Sequence, residues 1–402
     1  MATTKDKLSE RQSSGVPVWV SALLPLVLLA ALLAVFAFGN PLALFTAELP
    51  PIEALTIQRV VVTPTGFEFK VSNGGPDPVT VAQVMVDDAF WDFSIEPSAT
   101  IPRLSTATIR MDYPWVQAEP NAIVVVTSTG ATFEGEVALA TETPRPGLRE
   151  FAAYGLLGVY VGVLPVALGL MWFPALRRLG RRGLGAILAL TLGLLIFLLV
   201  DTLLEAIEVA AEVPGVFQGL PLALFAALLT WLVLLAVGAR GERRPADPAK
   251  QRLYIATLIA LGIGLHNLGE GLAIGTAFAL GEASLGAFLV IGFTLHNVTE
   301  GVGIAAPVTR DRPTLLQFVL LGLLAGAPAI LGAWIGGFTS SPLLATVFLG
   351  IGTGAIWQVI VEVGGLLRRD AERDGQPVAS WLNLAALVAG IAVMYGTALL
   401  TH

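Results

Sequence analysis

Two stretches of this chain carry the residue types that hold metal ions: Leu265-His266-Asn267-Leu268-Gly269-Glu270-Gly271 and Leu295-His296-Asn297-Val298-Thr299-Glu300-Gly301. In each, a histidine, an asparagine and a glutamate fall at i, i+1 and i+4. On a helix turning about 100° per residue these positions lie within an arc of about 100°, so each copy presents an imidazole, an amide and a carboxylate on one face. Both copies sit inside long apolar runs, where a carboxylate at the centre of a membrane helix costs roughly 2.5 to 3.5 kcal/mol. A bound cation would offset that cost. The chain has three histidines, and two of them occupy the same slot of the two copies. Interhelical hydrogen-bond networks are the other use of such residues in a bundle, but that use buries two acids with no evident return and leaves the repetition unexplained.

The elements that position these residues follow from composition. Of 402 residues, 55% are hydrophobic and 13% charged, and mean hydropathy is +0.77, far outside the balance of soluble domains. The chain reads as a polytopic membrane protein, mainly α-helical. Cysteine is absent, so disulfides and thiolate metal sites are excluded, and any metal must bind through nitrogen and oxygen. The net charge of -7 is modest; the placement of the basic residues says more.

After a polar start with Lys5, Lys7 and Arg11, an apolar run from Pro17 to Phe38 is long enough to cross the hydrocarbon core and reads as an uncleaved anchor. A cleaved signal peptide with small residues near Ala47 is the competing reading, but the run exceeds the usual 7 to 15 residues. Residues 48–149 then change to short alternating segments, among them Leu55 to Thr63, Phe67 to Ser72, Val79 to Val86, Thr106 to Met111 and Ile123 to Thr127. Turn clusters such as Asn73-Gly74-Gly75-Pro76-Asp77-Pro78 and Ser128-Thr129-Gly130 separate them. This predicts a small all-β sandwich domain. It has no histidine, and Asp87, Asp88 and Asp92 beside Trp91 read as a solvated turn rather than a cation trap.

Residues 150–402 hold eight further apolar spans, at about 151 to 173, 184 to 208, 216 to 238, 253 to 280, 284 to 308, 315 to 338, 342 to 367 and 379 to 400. With the anchor that makes nine. Their connections alternate in charge. Arg177, Arg178, Arg181 and Arg182 fill one; Arg240, Arg243, Arg244, Lys250 and Arg252 another; Arg310 and Arg312 a third; Arg368, Arg369 and Arg373 a fourth. The intervening loops around Val213 to Gln218, Gly281 to Ser284 and Thr339 to Pro342 contain no Lys or Arg. The positive-inside rule therefore places the N-terminus and the arginine loops in the cytoplasm, and the β domain and C-terminus outside. The expected location is a plasma membrane, of the bacterial inner-membrane kind.

At about 1.5 Å per residue, His266 and His296 lie roughly 20 and 18 Å into their spans, near the bilayer midplane, on helices running in opposite directions. Matched motifs of this kind suit an inverted-repeat transporter with a central site. The glycines around them (Gly262, Gly264, Gly269, Gly271, Gly275, Gly292, Gly301 and Gly303) allow close packing or local unwinding. Asp201, Glu205 and Glu208 at i, i+4, i+7 share a helix face near the outer end of their span; they are either a wetted helix end or an external funnel for cations. Glu362, one turn after Gln358, is either a hydrogen-bonding partner inside the bundle or part of a release path. No Lys or Arg lies within the spans to neutralise these acids, and intramembrane carboxylates normally pair or face a watery cavity.

Residues 151–402 resemble the ZIP family of divalent metal transporters. His266-Asn267-x-x-Glu270-Gly271-Leu272-Ala273-Ile274-Gly275 is similar to that family's fourth-helix signature, and His296-Asn297-x-x-Glu300-Gly301 to the fifth helix of its GufA-like bacterial subgroup. Asp201-Thr202-Leu203-Leu204-Glu205-Ala206 and Gly354 through Glu362 are weaker echoes of the second and seventh helices. The resemblance implies an eight-helix core and inward transport of zinc and related divalent ions through a binuclear site between the fourth and fifth helices. His266, Asn267, Glu270, His296, Asn297 and Glu300 would be the ligands, with the two glutamates bridging. Asp201, Glu205 and Glu208 would form the entrance, and Gln358 and Glu362 the exit. There are departures. Gly269 and Thr299 stand where the family usually has a proline before the motif acid, so the usual kink is not expected. The loop from Gly238 to Arg252 has no histidines, and the anchor and β domain lie outside the common core.

Imidazole, amide and carboxylate ligands suit zinc first, then iron(II), manganese, cobalt or cadmium. No Gly-x-x-x-x-Gly-Lys sequence is present to cradle ATP; a divalent ion moving inward down 100 mV gains about 4.6 kcal/mol, twice the figure for one charge. An enzyme is not expected, since an intramembrane metalloprotease would want a His-Glu-x-x-His helix. The remaining alternative is a receptor whose β domain binds an outside partner over a degenerate transporter core. Expected partners are metal ions, the lipid bilayer and a second copy in a homodimer, and not nucleic acid.

Overall fold

A computed structural model describes residues 18–39, 51–137, 140–143, 147–242, 247–281, 283–339 and 341–399. Lys5, Lys7, Arg11, Ala47, Arg243 and Arg244 fall outside them, as does the side chain of Arg240. Helix α1, Val18–Gly39, matches the first apolar run, and its large side chains from Leu23 to Val35 are exposed.

The β segment folds as two antiparallel sheets. One has the order β1 (Leu55–Thr63), β2 (Gly66–Asn73), β7 (Thr106–Asp112), β5 (Ser94–Glu96); the other has β4 (Ala89–Trp91), β3 (Val79–Val86), β8 (Asn121–Thr127), β9 (Thr132–Val137), with β6 (Thr100–Ile101) added against β3. Alternation drives it: in β7, Ala107, Ile109 and Met111 face inward while Arg110 and Asp112 face out. The buried set closes with Phe67, Phe69, Val84, Ile123 and Val125 between the sheets. The five expected strands are present; β4, β5, β6 and β9 were too short or too weakly patterned to read. Asp87 and Asp88, both at positive φ, form the two-residue loop between β3 and β4, a conformation short polar side chains tolerate. Partial burial works against the Asp87 charge, yet the Ala122 N–H, the Asn121 amide and the Tyr113 hydroxyl together hold its carboxyl below the ordinary aspartate range.

Among the described residues, eight helices are long and apolar enough to cross a membrane, as the eight later spans require. They are α2 (Leu148–Leu176), α3 (Arg181–Ala211), α4 (Gly219–Glu242), α5 (Pro248–Ala279), α6 (Ala283–Ala305), a broken helix made of α7 (Leu315–Gly326) and α8 (Pro328–Thr339), α9 (Pro342–Arg373) and α10 (Trp381–Ala398). Two subsets pack internally: α5 lies along α8 and α2 against α6, while α9 packs on α3 and α4 and α3 on α10. The subsets meet mainly where α5 runs along α9.

Two of the interruptions in these helices lie beside prolines. α2 contains a π-helical turn, Val159–Val163, immediately before Pro165; α7 and α8 part at Ala327, before Pro328. Proline has no N–H and its ring crowds the preceding turn, so the regular ladder cannot run through it.

Ion pairs gather the arginine connections at one end of the bundle. Arg252 Nε lies 2.8 Å from Asp311, Arg181 bonds Asp374 at 2.9 Å, and Arg310 faces Asp370 and Asp374 at 3.6 and 3.8 Å. Two of the loops without Lys or Arg meet the sandwich instead: a Cβ at Gly74 would lie 3.6 Å from Pro214, and one at Gly281 would press on Thr141. The basic loops and the β domain therefore occupy opposite ends, as the charge alternation requires.

Candidate metal centre

Helices α5 and α6 are each continuous through their motifs, consistent with Gly269 and Thr299 standing where proline would break them. The glycines serve close packing rather than unwinding. A Cβ at Gly271 would sit 2.1 Å from the Ala329 carbonyl oxygen, and one at Gly301 2.3 Å from that of Val166, so each motif helix lies backbone to backbone on a proline-broken neighbour.

All six motif residues are buried, Asn267 and Asn297 completely. Glu270 is the hub. Its Oε1 lies 3.0 Å from His266 Nε2 and is also hydrogen-bonded to His296 Nε2, while Oε2 accepts from Asn297 Nδ2 at 3.0 Å. One ligand atom each from His266, Glu270 and His296 falls within 4.8 Å of the others, the one set of three or more His or acidic residues so placed among the described residues. Glu300 stands outside that set. It lies within electrostatic reach of Glu270 and both histidines, with the Asn267 amide beside it, although no hydrogen bond of ordinary geometry reaches its carboxylate oxygens. The structure thus joins three of the six expected ligands tightly and sets the second acid beside them.

The asparagines are fastened by one end. Asn267 Nδ2 donates to the Ala325 carbonyl and Asn297 Nδ2 to that of Val161, each at 3.1 Å. Both Oδ1 atoms remain buried without a donor, as does His266 Nδ1. Buried polar atoms are normally satisfied, and these three stand without a hydrogen-bond partner beside the His-Glu-His cluster.

Asp201, Glu205 and Glu208 form an acidic row on α3. Glu205 is half-buried and lies within electrostatic reach of His266 and Glu270 as well as of Asp201 and Glu208; Asp201 reaches His296. The row therefore leads from an exposed Glu208 to the His-Glu-His cluster. Gln358 and Glu362 sit elsewhere. Gln358 Nε2 donates to Glu362 Oε1 at 2.9 Å, and both line a cavity of about 370 Å³ with Gly238, Arg368 and Arg369 that none of the motif residues borders.

Two neighbours of the cluster escaped sequence reasoning. A Cβ at Gly352 of α9 would lie 3.5 Å from His266 Nδ1 and 3.8 Å from the Thr202 methyl group, so α3, α5 and α9 converge at His266. Thr202 was visible only as part of the acidic row, and Gly352 carried no signal of its own.

Residues 237–398 match the family model described as ZIP Zinc transporter. The ZIP match takes in both motifs, the His-Glu-His cluster and the Gln358–Glu362 pair, and runs from the end of α4 through α10. Helices α1, α2 and α3, the sandwich and the acidic row of α3 precede it. No curated protein matches this chain.

Proposed function

We propose that this chain is a ZIP-family transporter that carries a divalent metal ion, zinc first, through the bilayer. The observation that carries the reading is the buried His266-Glu270-His296 set, whose ligand atoms lie within 4.8 Å of one another between two helices long and apolar enough to span a membrane. Imidazole nitrogen with carboxylate oxygen suits borderline divalent ions. The buried side-chain oxygens of Asn267, Asn297 and Glu300 supply further ligands and the beginnings of a second ion position. Ions enter along Glu208, Asp201 and Glu205, pass the cluster, and leave past Gln358 and Glu362 into the cytoplasm, where the arginine loops lie by the positive-inside rule. GufA-like subgroup membership rests on the His296-Asn297-x-x-Glu300-Gly301 form alone.

Purified protein in liposomes is expected to take up zinc, with iron(II), manganese and cadmium compared side by side. Absence of uptake of any of the four would end this reading. Uptake carries a pH signature as well. A protonated imidazole cannot bind metal, so protons compete with the ion for His266 and His296. Zinc flux is expected to be full near about pH 7.5 and to fall progressively toward about pH 5.5; a flat profile would contradict histidine ligation.

A further inference from the structure

We propose that the β sandwich is a latch across the joint between the two helix subsets: it grips the α3–α4 loop at Gly74 and the α5–α6 turn at Thr141, and one grip must open in each transport cycle. The proposal rests on the transporter reading and adds to it a role for a domain that lies outside the ZIP match.

Glycines show where the bundle is stiff and where it can give. Within the subsets they bring backbones together: a Cβ at Gly275 of α5 would collide with the Ala333 oxygen of α8, one at Gly169 of α2 with the Val298 oxygen of α6, and one at Gly354 of α9 with the Ala227 oxygen of α4. Across the joint, Gly262 of α5 and Gly303 of α6 first meet the side chains of Val359 and Thr191, which can turn. A midplane site that opens to each face of the membrane in turn needs one group of helices to move against the other. This joint is where that movement falls.

The sandwich spans it. Gly74 packs on Pro214 and Val216 in the loop joining α3 to α4, and Thr141 packs on Gly281 in the turn joining α5 to α6. Both points are fixed to the body of the domain. Asn73, 1% exposed, donates to the Asp77 and Ile101 carbonyls and accepts from the Gly75 N–H, while the Gly74 N–H donates to the Ala54 carbonyl at 2.8 Å. Ala140 bonds Ala118 and Glu119, and Thr143 bonds Val62, so Thr141 is held from both sides. Gly281 is no more adjustable. Its φ of +81° is the left-handed turn that ends α5, and a side chain there would strike the Thr141 hydroxyl. A rigid body standing on both loops cannot follow one subset without leaving the other. The Thr141 hydroxyl is buried with no hydrogen-bond partner, so its grip parts without breaking a hydrogen bond.

The chain has no cysteine, so each grip can be locked with an added disulfide. A Cβ at Gly74 would stand 3.6 Å from that of Pro214, and one at Gly281 3.7 Å from that of Thr141, both within the range of about 3.5 to 4.5 Å that disulfides span. Zinc uptake into proteoliposomes is measured for each cysteine pair and for the four-cysteine variant, oxidised and reduced, with thiol titration reporting closure. Either pair alone, Gly74→Cys with Pro214→Cys or Thr141→Cys with Gly281→Cys, is expected to keep its flux when oxidised, because the other grip still opens. The four-cysteine variant should lose its flux on oxidation and recover it on reduction. Full flux with both bonds closed overturns the proposal and leaves transport standing. So does loss of flux with one bond closed, or failure of either bond to form in folded protein. If Gly281→Cys prevents folding, the single variants Pro214→Cys and Thr141→Cys decide. Maleimide should label at least one of them faster during zinc uptake, and not so in a Glu270→Ala background; equal rates overturn the proposal. A wild type that carries no zinc overturns this proposal and the transporter reading together.

Discussion

Replacing Glu270 by alanine is expected to abolish zinc flux, with a loss larger than the 10- to 100-fold typical of outer-shell partners. The geometry singles out this residue among the six. Its carboxylate bonds His266, His296 and Asn297, so its removal takes away one ligand and the acceptor that orients three others. Each buried donor left unpaired costs about 1 to 3 kcal/mol, and the imidazoles become free to turn. His296→Ala should be less damaging, since Glu270 keeps His266 and Asn297. The measurement is initial-rate zinc uptake into proteoliposomes, normalised to protein that elutes as a single folded species. Flux near the wild-type rate in Glu270→Ala would remove the cluster from the transport path.

The second large effect is on stability. Gly271→Val should destabilise the bundle severely and Gly271→Ala by at least the 1 to 3 kcal/mol typical of overpacking, because a Cβ there would meet the Ala329 carbonyl oxygen at 2.1 Å and its carbon at 2.8 Å. These are backbone atoms and cannot swing aside. Gly364→Ala on α9 is the internal control, since a Cβ there meets nothing within 4 Å; it should change stability by no more than about 0.5 kcal/mol. Thermal unfolding in detergent compares them. Equal midpoints for Gly271→Ala and Gly364→Ala would mean that α5 and α8 are not in close contact.

Much of this architecture was legible in the chain because lipid imposes simple demands. A span must be apolar over about 20 residues, so all eight later spans could be found, and the arginine loops separated the ends. The sandwich was legible through alternation in strands such as β7, whereas β4 and β6 have too few residues to show a period. The motif histidines and acids were legible because charge in an apolar run needs a reason. Which of them meet was not. Glu270 and Glu300 occupy identical slots, and only the offset between α5 and α6 makes one a hub bonded to both histidines and leaves the other beside it. The asparagine contacts were equally hidden: Val161 is 136 residues from Asn297, and a backbone carbonyl has no letter in the sequence.

The arginine end of the bundle is tied by ionic contacts that differ in shelter. Arg252 and Asp311 are largely shielded from solvent, whereas the Arg181 side chain, paired with Asp374, is 74% exposed. At the sandwich end, Gly74 lies beside Pro214 and Val216, and Gly281 beside Thr141, all uncharged. Electrolyte therefore separates these ties: at 1 M salt, where charges are screened beyond about 3 Å, the Arg181 tether slackens first, while the contacts of Gly74 and Gly281, made with neutral atoms, keep their grip.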